Sequence, residues 1–197
     1  MLEELSKIPC IILCGGKSSR MQEDKSLLAF GEFNSLAKYQ YSRLKPFFKN
    51  VFISSKSNKF DFIDDENIIF DENQNIFSPI LALNTILKKI DSEKVFIIPV
   101  DTPFVDIFSI EQLILNSNDF EICVAKTNTI HNLCGVFSKS INSFIEDMIK
   151  SDIHKINYLI NNCESNFVEF ENEDEFLNLN SRIDYEKALE IIKKTNN

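Results

Sequence analysis

The densest chemistry in the sequence lies in residues 13–25, LCGGKSSRMQEDK, which continue from the apolar run 8–13, IPCIIL. Two of the chain's four glycines, Gly15 and Gly16, stand together there, and Lys17, Arg20 and Lys25 follow within nine positions. Paired glycines can adopt positive φ and aim successive backbone N–H groups at one point, while nearby cations complete a cradle for a polyphosphate. A tight glycine turn followed by solvated cations would use the same residues, and the glycines alone do not choose between the two. The stretch is neither GxGxxG nor GxxxxGK[ST], so the dinucleotide-oxidoreductase and P-loop fingerprints are lacking.

A second candidate is residues 99–104, PVDTPF, where Asp101 is expected to end the most hydrophobic strand and Pro103 to stop it continuing. A carboxylate at that edge, opposite a polyphosphate, suits Mg²⁺, a hard cation held by one or two carboxylates plus phosphate oxygens. An Asx-turn onto the following backbone is the plainer use of such an Asp. The glycine loop and Asp101 together favour the metal. The two histidines, His131 and His154, show no Ser/His/Asp arrangement in the sequence. The acidic stretch 169–175, EFENEDE, reads as a solvated turn whose carboxylates lack an obvious partner.

The elements that must position these residues follow from periodicity. Apolar, β-branched runs at 8–13, 50–55, 67–71, 95–101 and 120–126 alternate with helical spacing at 35–48, 80–90 and 109–116. This alternation predicts an α/β fold with a mostly parallel sheet, both faces covered, and ligands at the carboxyl ends of the strands. A strand at 133–138 close behind 120–126 predicts an antiparallel pair and hence a mixed sheet. Helices at 140–150 and 155–161, a strand at 166–170 and a charged helix at 183–194 complete the pattern.

With 197 residues, folding buries roughly 70% of the unfolded chain's surface, enough for one domain with a real core. The net charge of -9 opposes nonspecific binding to nucleic acid or an anionic membrane. An acidic N-terminus and the lack of a long apolar run predict a cytoplasmic protein. Five cysteines (Cys10, Cys14, Cys123, Cys134 and Cys163) form no CxxC pair, and all but Cys163 sit in strand-like stretches, which predicts inert thiols.

On these residues the chain resembles the molybdenum cofactor guanylyltransferases, nucleotidyltransferases of Rossmann-like fold. Members look like L-A-G-G-x-S-x-R-M-G-x-D-K near the N-terminus, and Leu13, Gly15, Gly16, Ser18, Arg20, Met21, Asp24 and Lys25 match at that spacing. Asp71 in IIFDE, Asp101 in PVDTPF and residues 178–188, NLNSRIDYEKA, resemble further family motifs in the same order. The paired glycine favours the guanylyl branch over cytidylyl relatives. Departures are Cys14 for Ala, Gln22 for Gly, Ser54 for Asn, and Ser78 and Ala82 for the glycines of a G-P-L-A-G element.

The resemblance implies one three-layer Rossmann-like nucleotidyltransferase domain over 1–197. It would transfer GMP from GTP to the phosphate of Mo-molybdopterin, release pyrophosphate, and pass the product to molybdoenzymes or their chaperones. It implies catalytic roles for Lys25, Arg20 and Asp101, and GTP contacts from Leu13, Cys14, Gly15, Gly16, Lys25, Ser54, Asp71 and Asp101. Asp101 would hold Mg²⁺, with Asn180 a weaker second ligand, and His131 would face the pterin. Lys25 is expected to gain little in an empty cleft beside the like charges of Lys17 and Arg20. Transfer of another nucleotide to molybdopterin or a sugar phosphate shares these residues, and so does a noncatalytic nucleotide-binding module.

Overall fold

In the computed structural model, which describes residues 5–15, 23–72, 76 and 78–195, the apolar runs form one seven-stranded sheet. The strands are β1 (Cys10–Leu13), β2 (Val51–Ser55), β3 (Ile68–Phe70), β4 (Lys94–Pro99), β5 (Ile122–Lys126), β6 (Ile130–Ser138) and β7 (Ser165–Glu169). Their order is β3-β2-β1-β4-β6-β5-β7. β6 runs antiparallel to both β4 and β5, and every other pairing is parallel. The mixed, mostly parallel sheet is as predicted. The sequence left open that β6, starting at Ile130, inserts between β4 and β5.

Alternate residues of each central strand enter different cores. Cys10 and Ile12 of β1 and Phe96 and Ile98 of β4 pack on one face; Ile11, Leu13, Val95 and Ile97 pack on the other. The first core is closed by α1 (Leu36–Leu44), α3 (Ile107–Leu115) and α6 (Arg182–Thr195), the second by α2 (Pro79–Lys89), α4 (Asn142–Lys150) and α5 (Ile156–Asn162). The result is three layers, which explains why the strands read as continuous apolar runs. Each fully buried Ile, Leu or Phe contributes about 1.5–3 kcal/mol of apolar burial.

At Gly135 a Cβ would lie 2.1 Å from the Cys123 carbonyl oxygen, so glycine is required where the β5–β6 register shifts. Cys10, Cys14, Cys123 and Cys134 are buried free thiols. Burial pushes Cys123 up to about 11 and Cys134 up to about 12, in keeping with inert thiols. No helix among the described residues is long and apolar enough to cross a membrane.

The acidic stretch differs from expectation, because its carboxylates do have partners. Glu169 pairs with Lys126 at 2.8 Å, Glu173 accepts from Asn128, and Glu175 Oε2 accepts from Ser109 Oγ at 2.7 Å. These bonds pin the segment that leads to Phe176, which is almost fully buried.

Candidate functional site

The carboxyl ends of β1 to β4 and the start of β6 border a cleft of about 570 Å³. Leu13, Cys14, Gly15, Lys25, Ser54, Asp71, Asp101 and His131 all line it. Gly16 and Arg20 lie outside the described residues. Gly15 corrects one expectation, since Gly31 is the positive-φ glycine among the described residues and Gly15 is not. A Cβ at Gly15 would sit 3.5 Å from Asp71 Oδ2. The described neighbours would thus accept a Cβ at Gly15 in ordinary contact, and no left-handed turn calls for glycine there.

Lys25 opens a single 3-10 turn, Lys25–Leu27, capped by Asp24, whose Oδ1 accepts from Ser26 N at 3.0 Å and Ser26 Oγ at 2.6 Å. Lys59 bonds the other Asp24 oxygen and reaches the Cys14 carbonyl at 3.5 Å. Burial pushes the Asp24 carboxyl up, but the hydrogen bonds from Lys59 and Ser26 prevail and hold it below its usual range. The turn so anchored points Lys25 Nζ at Asp101 Oδ2, 2.9 Å away, and at Asn180 Oδ1, 3.0 Å away. The expectation of little gain in an empty cleft therefore fails: Lys25 is neutralised by a carboxylate brought from 76 residues away.

Asp101 lies in the turn after β4 rather than in the strand, which ends at Pro99. The turn is set by Thr102, whose N and Oγ1 both donate to the Pro99 carbonyl, at 3.3 and 2.8 Å. Leu179 N donates to the Asp101 carbonyl at 2.9 Å, which carries Asn180 into place. From beneath, the fully buried Gln40 donates to the Thr102 carbonyl at 2.9 Å and accepts from Arg43 Nε and Nη2. Arg43 Nη1 in turn donates to the Val105 carbonyl at 2.6 Å. Sequence reading missed this clamp. Its signal was a Gln within the stripe Leu36, Ala37, Gln40, Leu44, where helical spacing calls for an apolar residue.

Along the β2–β3 edge, Ser54 Oγ donates to Asp71 Oδ1 at 3.2 Å. Burial raises the Asp71 carboxyl above its ordinary value, and the Ser54 hydrogen bond only partly offsets this. On the opposite wall, His131 Nε2 meets Thr127 Oγ1 at 2.9 Å, and its ring stacks on Phe176 with centroids 4.7 Å apart. Burial pulls His131 below its ordinary value against the opposing pull of Glu173. His154 overturns the absence expected of it: Ser78, His154 and Asp152 form one hydrogen-bonded line in the fold.

Two hard oxygens, Asp101 Oδ2 and Asn180 Oδ1, converge on one cationic atom, Lys25 Nζ. That donor pair suits a divalent cation bound mostly through phosphate oxygens and water.

Residues 10–164 match the MobA-like NTP transferase domain. The chain belongs to the MobA-like NTP transferase family. It is 39% identical to the molybdenum cofactor guanylyltransferase of Campylobacter jejuni subsp. doylei, across 93% of this chain and 96% of that protein. Its fold is similar to that of molybdopterin-guanine dinucleotide biosynthesis protein A from Archaeoglobus fulgidus, with a TM-score of 0.79 at 18% identity, covering 95% of this chain and 100% of the other. It is also similar, with a TM-score of 0.64 at 14% identity, to a Mycobacterium tuberculosis protein whose structure contains manganese; 94% of this chain and 99% of that one are covered.

Proposed function

We propose that this protein is a molybdenum cofactor guanylyltransferase that transfers GMP from GTP to the terminal phosphate of Mo-molybdopterin. An acceptor phosphate oxygen bonds to the α-phosphorus as the α–β phosphoanhydride breaks, and pyrophosphate carries away the electron pair. The acceptor is already an anion, so no protein nucleophile or base is needed. The chain's task is positioning and charge stabilisation.

The observation that carries this reading is the convergence of Lys25, Asp101 and Asn180 at the mouth of β1 and β4. With GTP bound, Lys25 exchanges Asp101 for the phosphates, and Arg20 and the glycine loop add cationic and N–H contacts to them. Asp101 and Asn180 would hold the divalent cation, taken here to be Mg²⁺, which offsets charge building on the phosphate oxygens. Leu13 and Cys14 flank the nucleoside, and Asp71, steadied by Ser54, accepts from the ribose or base. His131 serves the pterin side. The chain works as one domain in the cytoplasm, and its product passes to molybdoenzymes or their chaperones.

The test is incubation with molybdopterin, Mg²⁺ and each labelled nucleoside triphosphate in turn. GMP is expected in the dinucleotide product, and preferential entry of CMP would overturn the guanylyl assignment.

A further inference from the structure

Ser78 caps the N-terminus of α2, yet its side chain makes no capping hydrogen bond to the helix. A serine at that position normally accepts from a first-turn N–H, and breaking so local a rule calls for a reason. Here the hydroxyl meets His154 Nδ1 at 3.1 Å, and His154 Nε2 meets Asp152 Oδ1 at 3.1 Å.

Asp152 occupies an unusual backbone site. Ile153 N donates to the Met148 carbonyl at 2.8 Å and Asp152 N to the Ile149 carbonyl at 3.1 Å, which together form a Schellman closure of α4. Asp152 takes the left-handed position of that motif, φ 56°, where glycine is the usual residue. A carboxylate is thus kept at a position where it carries backbone strain, and it bonds His154 from there.

With the His154 proton on Nε2 and donated to Asp152 Oδ1, Nδ1 offers its lone pair to the Ser78 hydroxyl. Ser78 must then donate its one hydroxyl proton to Nδ1. The helix N–H groups leave its oxygen lone pairs unused, and Ser78 lines the cleft together with Pro79, Ala82 and Ile156. The hydroxyl therefore presents to the cleft as an acceptor alone.

We propose that Ser78, oriented by His154 and Asp152, is a substrate-contacting residue that accepts from the exocyclic amine of a 2-amino-4-oxopyrimidine ring edge. Guanine and the pterin of the acceptor share that edge, and the inference rests on the guanylyl-transfer reading above. Ser78 touches the ring, whereas His154 and Asp152 are positioning residues that fix which way its hydroxyl points.

The test uses the full-length protein with Ser78→Ala, His154→Ala, the double variant and Ser78→Thr. Calorimetry with GTP and with inosine triphosphate, which lacks the 2-amino group, addresses the nucleotide, and the molybdopterin KM addresses the acceptor. If the amine is guanine's, Ser78→Ala weakens GTP binding by roughly fivefold and leaves inosine triphosphate unchanged. If it is the pterin's, the molybdopterin KM rises by a similar factor while kcat and GTP affinity hold. In either case His154→Ala matches Ser78→Ala, the double variant adds nothing further, and Ser78→Thr retains wild-type discrimination. Unchanged GTP affinity and acceptor KM would overturn the inference, as would equal losses with GTP and inosine triphosphate or additive single effects. Failure of the wild type to transfer GMP would instead sink the reading beneath it.

Discussion

The wall built by β1 to β4 and the wall built by β6, α5, residues 170–180 and the start of α2 border one cleft but hold their polar groups differently. On the first, Lys25 rides on a short turn capped by Asp24, and Asp101 on one hydrogen-bonded to its own strand end and to the buried Gln40 clamp. On the second, His131 and Ser78 are held by side chains from distant segments: Phe176 stacks on one, and His154 bonds the other. The first wall therefore sets charge rigidly, as phosphoryl chemistry demands. The second sets shape and hydrogen-bond direction, as recognition of a neutral ring demands. Substitutions should separate them, with losses of phosphate binding or turnover on one side and losses of ring recognition on the other.

The largest effect is expected of Asp101→Asn. Asn preserves shape and turn hydrogen bonding but removes the charge that faces Lys25 and the cation. Transfer should fall by on the order of 10²–10³ while the melting temperature changes little. Wild-type turnover at ordinary Mg²⁺ concentrations would remove Asp101 from the mechanism.

Lys25→Ala should weaken GTP binding by about 10- to 100-fold, the range for losing a charged hydrogen bond. Because Lys25 is paired even without nucleotide, the unliganded variant should melt no higher than the wild type. Calorimetry and thermal melting together check both halves.

Gln40→Leu tests whether the rigid wall owes its precision to the clamp. Loss of the partners of Thr102 and Arg43 should cost about 2–3 kcal/mol, a drop of roughly 4–12 °C in melting temperature. A fall in kcat larger than the rise in GTP KM would place the damage at the Asp101 turn.

Asp71 gives a smaller, pH-dependent effect. Its folded-state pKa is raised by burial, so the folded chain holds the extra proton. This group adds stability at low pH and loses it as pH rises from the ordinary carboxylate value through the raised one. Binding runs the other way, since only the carboxylate accepts fully from the nucleoside. GTP affinity should weaken on acidification at a higher pH than an ordinary Asp would give, and Asp71→Asn should flatten that part of the profile.

The smallest effect is expected of His131→Ala, a rise of about threefold in the acceptor KM with GTP affinity unchanged, the size of one lost neutral hydrogen bond. A larger loss in GTP binding would erase the division between the walls.

The same division explains what could be read from sequence. Asp71 and Asp101 follow strand ends, and apolar periodicity places strand ends well, so their place on one cleft could be anticipated. The sheet order could not, because nothing local tells β6 to enter between β4 and β5. The Gln40 clamp was written only as one polar residue in an apolar stripe. The Asp152–His154–Ser78 line spans 76 residues between its serine and histidine and depends on how α2 and α4 pack, which no spacing rule encodes.

The bond from Leu179 N to the Asp101 carbonyl and the contact of Asn180 with Lys25 also bear on how the protein is made. Lys25 and Asn180 are 155 residues apart, so at about 5–20 residues per second a ribosome needs roughly 8–30 s to deliver the second after the first. Most of the sheet can assemble in that interval, while Lys25 and Asp101 lack the segment that brings Asn180 to them. A nascent chain therefore builds most of its sheet before the Asn180 contact with Lys25 can form.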